Sequence, residues 1–224
     1  MGILDFMNDN NVNWSKDESY IGRLINLYAA TPAIAKAYFG LLYDEEQRPD
    51  LFLAVEMEEE AEEIKHMTAM LSETYMADRE IIFVSNMVEP ELMHYVIESN
   101  FPFYVKNRPQ PLHMAVMKYW FNPDKYKADL IHQVKTGTVI SIFKDFNPFG
   151  SELNFQTFIR EGKEFIPLFS EEEMVPKSGM VEIPKDLTVM GFDWIRINSA
   201  VSGNLKEHYY ILNPGTSFEV EFVA

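Results

Sequence analysis

Glu63-Ile64-Lys65-His66 is an E-x-x-H set inside a run of carboxylates, "EMEEEAEEIKHM". On a helix the i, i+3 spacing turns both side chains to one side, the arrangement that carboxylate-bridged di-metal bundles use. Those bundles need a second such motif and further Glu residues on facing helices, and the sequence has no second copy. The run therefore reads as a solvated charged face without a metal. Glu58, Glu59, Glu62 and Glu63 lie near an expected helix start, where the macrodipole favours negative charge, and they form the candidate docking face for a basic protein partner. His66, His94, His113, His132 and His208 are scattered, and none stands in a known nucleophile motif. His132 and His208 are left as a pair that only the fold could bring together. Without G-x-G-x-x-G, a Walker-type loop or an EF-hand loop, no catalytic residue and no cofactor is assigned. Asn213-Pro214-Gly215 reads as a type II turn, with Pro214 presetting φ, Gly215 accepting a positive φ and the Asn213 side chain bonding the backbone ahead of it.

Composition narrows the classes further. A chain of 224 residues, 47% hydrophobic and 14% aromatic, can bury a sizeable core. The absence of Cys excludes disulfide scaffolds, thiolate metal sites and cysteine nucleophiles. The formal charge of -16 is uneven: residues 1–107 hold 20 acidic and 7 basic side chains, out of 35 and 19 in the whole chain. With no basic stripe to neutralise phosphates, neither nucleic acid nor an anionic membrane surface is expected as a partner. The opening "MGILDFMNDNNVNW" has no basic n-region, and no apolar run reaches membrane-spanning length. The expected compartment is a reducing cytoplasm.

The elements that must position these residues are legible in outline. "DESYIGRLINLYAA" has helical spacing at Ile21, Leu24, Ile25 and Tyr28, with Asp17 as the expected N-cap and Thr31-Pro32 as the stop. "AIAKAYFGLLYD" and "LFLAVEM" read as a β-hairpin, residues 58–75 as a helix, "REIIFVSN" as a buried strand, and "VEPELMHYVIESN" as a helix with Pro90 in its first turn. The Pro-rich "FPFYVKNRPQP" marks a domain boundary. Beyond it a helical stretch is broken at Asn122-Pro123. Strands follow over "GTVISIFKDF", "LNFQTFIREG" and "KEFIPLFS", with Glu161-Gly162-Lys163 as a turn, then over "HYYILNP" and "SFEVEFVA". "FNPFG" reads as another turn. A short helix is expected after Glu171, and a second over residues 186–192. The 13 Met residues read mainly as core filler. The fold class is α+β in two small domains: residues 15–106 as a mixed helix and hairpin sandwich, and residues 109–224 as a mostly antiparallel sheet with flanking helices.

Several stretches of the first half together resemble the C-terminal domain of the enhanced serine sensitivity (SseB) protein family. They are "AIAKAYFGLLYDEEQRPDLFLAVEM", which carries Ala37 and Tyr38; the helix and "IIFV" strand after it; and the closing Pro102-Phe103-Tyr104. The second half resembles the same family's N-terminal domain through "LHMAVMKYWF", through Pro167-Leu168-Phe169 in "EFIPLFSEEEM", and through Asn213-Pro214-Gly215 in "YYILNPGTSFEVEF". Here the C-terminal-like domain comes first. The resemblance implies an α+β fold and structural roles for these motif residues, and it assigns no catalytic residue. Function on this reading is non-catalytic recognition of an unknown protein partner through the acidic surface, with homodimerisation through exposed strand edges a further candidate. The alternatives are a small-molecule sensor or binding module, in amino-acid metabolism if the family's name is the guide, with a pocket among Met and aromatic side chains. A hydrolase assembled from residues distant in sequence is the third.

Overall fold

The computed structural model describes residues 18–43, 49–60, 62–76, 80–145, 153–179, 187–197 and 209–223. The chain divides into two compact units, one of Met1–Glu98 with Pro102–Gln110 and one of Ser99–Phe101 with Pro111–Ala224.

In the first unit, α1 (Tyr20–Ala29) buries Ile21, Leu24, Leu27 and Tyr28 along one stripe. Its cap is Ser19, whose Oγ accepts from the Gly22 N–H at 3.0 Å; Asp17, the expected cap, lies outside the described residues. β1 (Ile34–Tyr43) and β2 (Pro49–Met57) form the expected antiparallel hairpin, from Lys36↔Glu56 to Tyr43↔Pro49. α2 (Glu62–Tyr75) begins four residues later than the acidic run suggested, so Glu58 and Glu59 precede the helix and only Glu62 and Glu63 sit in its first turn. β3 (Ile81–Ser85) returns parallel to β2, α3 (Pro90–Ser99) follows, and β4 (Tyr104–Val105) pairs with β1, giving the order β3-β2-β1-β4.

Both faces of this sheet are covered, because alternate residues of β1 and β2 point to opposite sides and both sets are apolar. On one side Phe39 stacks on Phe103 at 4.7 Å and Tyr28 packs against Phe103 and Tyr104. Tyr20 and Tyr28 then tie α1 to α2 through Ser72 (2.8 Å) and Thr68 (3.3 Å). On the other side Tyr38, Phe52, Ala54 and Val84 pack with Met93 and Val96 of α3.

The second unit opens with α4 (Pro111–Phe121) and α5 (Pro123–Thr136). The expected break between them is a cap: the Asn122 side chain accepts from the Lys125 N–H, and Pro123 takes the first helical position, where an N–H is not needed. One sheet holds β7 (Phe158–Arg160), β8 (Lys163–Leu168), β10 (Tyr209–Leu212) and β11 (Val220–Val223) in the order β11-β10-β8-β7, and only the β8 and β10 pair is parallel. The other holds β6 (Asn154–Phe155), β5 (Thr138–Asp145) and β9 (Thr188–Asp193) in the order β6-β5-β9. The two meet where Ile140 and Phe169 exchange backbone hydrogen bonds of 3.0 and 2.8 Å.

Two local expectations changed. "LNFQTFIREG" is two short strands in different sheets, because Phe155 pairs with Phe143 while Phe158 pairs with Phe165. The helix expected over residues 186–192 is β9, held along β5 from Thr138↔Asp193 to Phe143↔Thr188, and a helical turn follows at residues 194–197; strand pairing outweighs the local helical reading. The turn between β7 and β8 has Glu161 at φ 51° and Gly162 at φ 76°, the primed geometry that suits a tight hairpin. The short helix after Glu171 is α6 (Met174–Lys177). The turn read at "FNPFG" lies outside the described residues.

The aromatic stack is the mechanical centre of the first unit. Phe39→Ala removes a 1% exposed ring and its partner contact, so we expect a loss of about 3 to 5 kcal/mol in urea denaturation of the full chain. A loss below about 1 kcal/mol would contradict this packing.

Candidate functional site

The second-half motifs meet in space. β8 and β10 run parallel with Leu168 opposite Leu212, so the residues just past each strand end lie side by side. Asn213 donates its backbone N–H to the Leu168 carbonyl at 2.7 Å, and its side-chain Oδ1 accepts from the Ser170 backbone N–H at 2.9 Å. Its Nδ2 donates to the Ser170 Oγ at 3.0 Å. The Ser170 hydroxyl faces His113 Nδ1 at 3.3 Å, and His113 Nε2 lies 3.1 Å from the Phe101 carbonyl. A carbonyl only accepts, so the proton is on Nε2 and Nδ1 is left to accept from Ser170. The result is one directed chain, Asn213 to Ser170 to His113 to Phe101.

This chain is sealed. Asn213 is 0% exposed, His113 2% and Ser170 5%. Burial pushes the His113 pKa down to about 4 against the helping hydrogen bond to Phe101, and the charge of Lys177, which itself bonds the Asn100 carbonyl, pushes the same way. The imidazole is therefore neutral. A serine facing a histidine invites a comparison with nucleophilic catalysis, where the base is oriented by an acidic group at an open cleft. Here the orienting group is a backbone carbonyl and the hydroxyl is covered, so the arrangement supports a packed core and not attack on a substrate.

Asn213 makes the expected turn, with Gly215 at φ 74° and the Thr216 N–H bonding the Asn213 carbonyl. Two features differ from the sequence reading: Asn213 is itself left-handed at φ 52°, and its side chain bonds sideways to Ser170, not to the backbone ahead. Pro214 is buried and Gly215 exposed. The Gly215 N–H donates to Glu219, whose carboxylate takes a two-pronged grip from Arg160 at 2.6 and 3.0 Å. Burial pushes the Glu219 pKa up, but the Arg160 and Gly215 hydrogen bonds and the Arg160 charge outweigh it, so the carboxyl titrates below its usual range. Pro167 and Leu168 are buried on β8, and the Pro167 carbonyl accepts from the Ser141 hydroxyl at 2.7 Å. Phe169 is in the core with Phe101, Ile142, Met174 and Val175.

The first-half motif residues form a separate cluster. Ala37 pairs with Tyr104 and accepts from the Phe103 N–H at 2.9 Å. Pro102 is buried, Phe103 stacks on Phe39, and Tyr38 faces the opposite side of the sheet with its hydroxyl 3.5 Å from Glu56. Glu58, Glu59, Glu62 and Glu63 are all exposed. Glu58 is paired with Lys106 at 3.5 Å, while Glu59, Glu62 and Glu63 have no ion-pair partner among the described residues. His66 is exposed, and no group of three metal-ligating side chains occurs among the described residues. His132 is exposed, and His208 lies outside the described residues. No helix among the described residues is long and apolar enough to cross a membrane.

Sequence reasoning missed His113 and Ser170 as partners. They are 57 positions apart, and Ser170 and Asn213 are 43 apart, so the only signal was that the "PLFS" and "LNPG" motifs each end a strand with a polar residue.

Two measurements check this network. The lowered His113 pKa means that the unfolded chain binds a proton between about pH 6.5 and 4 which the folded chain refuses, so the His113 contribution is fully present above pH 6.5 and is lost as pH falls toward 4. Chemical denaturation across this window should show a steeper loss for the natural chain than for His113→Gln; equal slopes would count against a buried neutral ring. Asn213→Ala leaves the Ser170 N–H unsatisfied and puts Ala in left-handed backbone, and should cost on the order of 3 kcal/mol in the same assay. A cost within about 0.5 kcal/mol, the range of an ordinary surface change, would contradict the role assigned to Asn213.

Residues 18–106 match the family model described as the SseB protein C-terminal domain. No curated protein and no solved structure matches the chain. The matched stretch runs from the residue before the Ser19 cap, through the hairpin, the β2-α2-β3 crossover and α3, to the residue after β4, so it takes in every element of the four-stranded first sheet. The similarity to this domain is therefore confined to residues 18–106, the first unit.

Proposed function

We propose that this chain, similar to the SseB C-terminal domain over residues 18–106, is a non-catalytic recognition protein whose first unit presents an acidic face to a basic protein partner. The observation that carries the reading is the run of Glu59, Glu60, Glu62 and Glu63, all exposed and without ion pairs among the described residues. Two nearby cations are already committed, Lys106 to Glu58 and Lys36 to Glu56, which leaves Lys65 as the exposed cation within the run against these four carboxylates. Carboxylates left uncompensated in this way make the local potential negative and steer a cationic partner. Non-catalytic action is supported by the sealing of the Ser170 and His113 pair, the serine and histidine that the fold brings together. We further propose the second unit as the family's N-terminal-like domain in swapped order, supported by the meeting of its "PLFS" and "LNPG" motifs at one hydrogen-bonded strand end.

The test is affinity capture by the tagged full chain beside a Glu59→Gln, Glu62→Gln, Glu63→Gln variant, each washed with rising salt and read by mass spectrometry. A basic partner held at moderate salt, released as salt rises and lost from the variant is the expected result. Capture that is indifferent both to salt and to the three substitutions would overturn the acidic-face reading.

A further inference from the structure

A groove in the second unit lies between α5 and β11, well apart in sequence from the acidic run. Its floor and walls are Leu130, Ile131 and Val134 from α5, Val220 and Phe222 from β11, and Trp194 from the helical turn after β9. The cavity measures about 110 Å³, somewhat below the roughly 150 Å³ that accepts a benzene ring. A branched aliphatic group of four or five carbons fits this space, and a large ring system does not.

The rim is cationic in a chain whose net charge is -16. Lys127 and Lys135 line the groove, both are exposed, and neither has an ion-pair partner among the described residues. They stand four residues before and four after Ile131, so the helix repeat puts all three on one face, with an ammonium at each end of the apolar floor. Glu221 is the one acidic lining residue, and Arg160 approaches it at 3.4 Å, which offsets its charge. A second polar feature lies behind the wall. Tyr210 stacks on Phe222 at 5.6 Å and meets Trp194 edge-on at 5.1 Å, both of them lining residues. It is 1% exposed, and its hydroxyl has no hydrogen-bond partner among the described residues. Buried hydroxyls are rarely left so.

We infer that this groove binds a small apolar carboxylate, with a branched aliphatic group against Ile131, Val134 and Phe222 and the acid at Lys127 or Lys135. The lysines supply the sign, the cavity sets the size, and the carboxylate is the acceptor that a lysine rim selects over an amine or an alcohol. The inference is independent of the acidic face on the first unit.

Ligand-observed NMR with 4-methylpentanoate on the full chain tests it, beside 4-methylpentan-1-ol and 4-methylpentylamine as probes of the same shape and different charge. Lys127→Gln with Lys135→Gln is the matched variant, since both side chains are exposed and their loss leaves the core intact. The expected result is saturable binding of the acid, weakened about fivefold or more in the double variant, with no saturable binding of the amine. Equal binding of the alcohol, undiminished binding in the variant, or no saturable binding of the acid would each overturn the proposal. So would binding of an acidic, leucine-containing peptide in this groove when the free acid fails to bind, which would assign the groove to a protein partner.

Discussion

A buried polar side chain that lacks hydrogen-bond partners costs the fold several kcal/mol, and at the ends of β8 and β10 this constraint is met by one chain of four residues. Asn213 holds the Ser170 N–H and hydroxyl, Ser170 satisfies His113 Nδ1, and His113 spends its remaining proton on the Phe101 carbonyl. Because the Phe101 carbonyl can only accept, it fixes the His113 tautomer and so sets the direction of the chain from that end. It joins the ends of β8 and β10 to α4 and to the segment at Phe101, elements that the sequence separates by up to 112 positions. Phe169, between them, exchanges backbone hydrogen bonds with Ile140 and so fastens the two sheets at the same point.

The first unit is organised on a different principle. Its hairpin is apolar on both faces, so helices are required on both sides, and aromatic rings fill the deeper one. Its polar ties, Tyr20 to Ser72 and Tyr28 to Thr68, join helix to helix over that stack. Burial raises the Tyr20 pKa to about 12 and pushes that of Tyr28 higher still, against the lowering effect of these hydrogen bonds, so both hydroxyls stay protonated under ordinary conditions. With the core neutral throughout, the acidity of the unit is confined to its surface, and this confinement is the physical basis for reading that surface as a place of recognition.

Much of the architecture was legible because it follows from local chemistry. Asn122-Pro123 announced a break in the helical stretch, Glu161-Gly162 announced a hairpin, and the alternation through Ala33, Ala35, Ala37 and Phe39 announced a strand. What was not legible depended on pairing across the chain. The stretch after residue 186 had no local feature strong enough to reveal that β5 would draw it into a strand, and "LNFQTFIREG" gave no sign that its two halves would join different sheets. The same holds for the sites. The acidic run is visible as composition, whereas the Ser170 to His113 contact and the lysine-rimmed groove exist only once α4, α5 and the strand ends are in place. The spacing of Lys127, Ile131 and Lys135 was the one local trace of the groove.

The central claim is that His113 is a neutral, sealed link in a structural chain. Nitrogen-15 NMR of the imidazole in the full protein, followed as pH is lowered, addresses it directly. The account predicts a single tautomer with the proton on Nε2, a slowly exchanging Nε2 proton, and no titration until pH approaches about 4. A ring that titrates near its ordinary pKa of about 6.5, with a proton in fast exchange with water, would mean that the pocket is open to solvent, and would restore Ser170 as a candidate nucleophile.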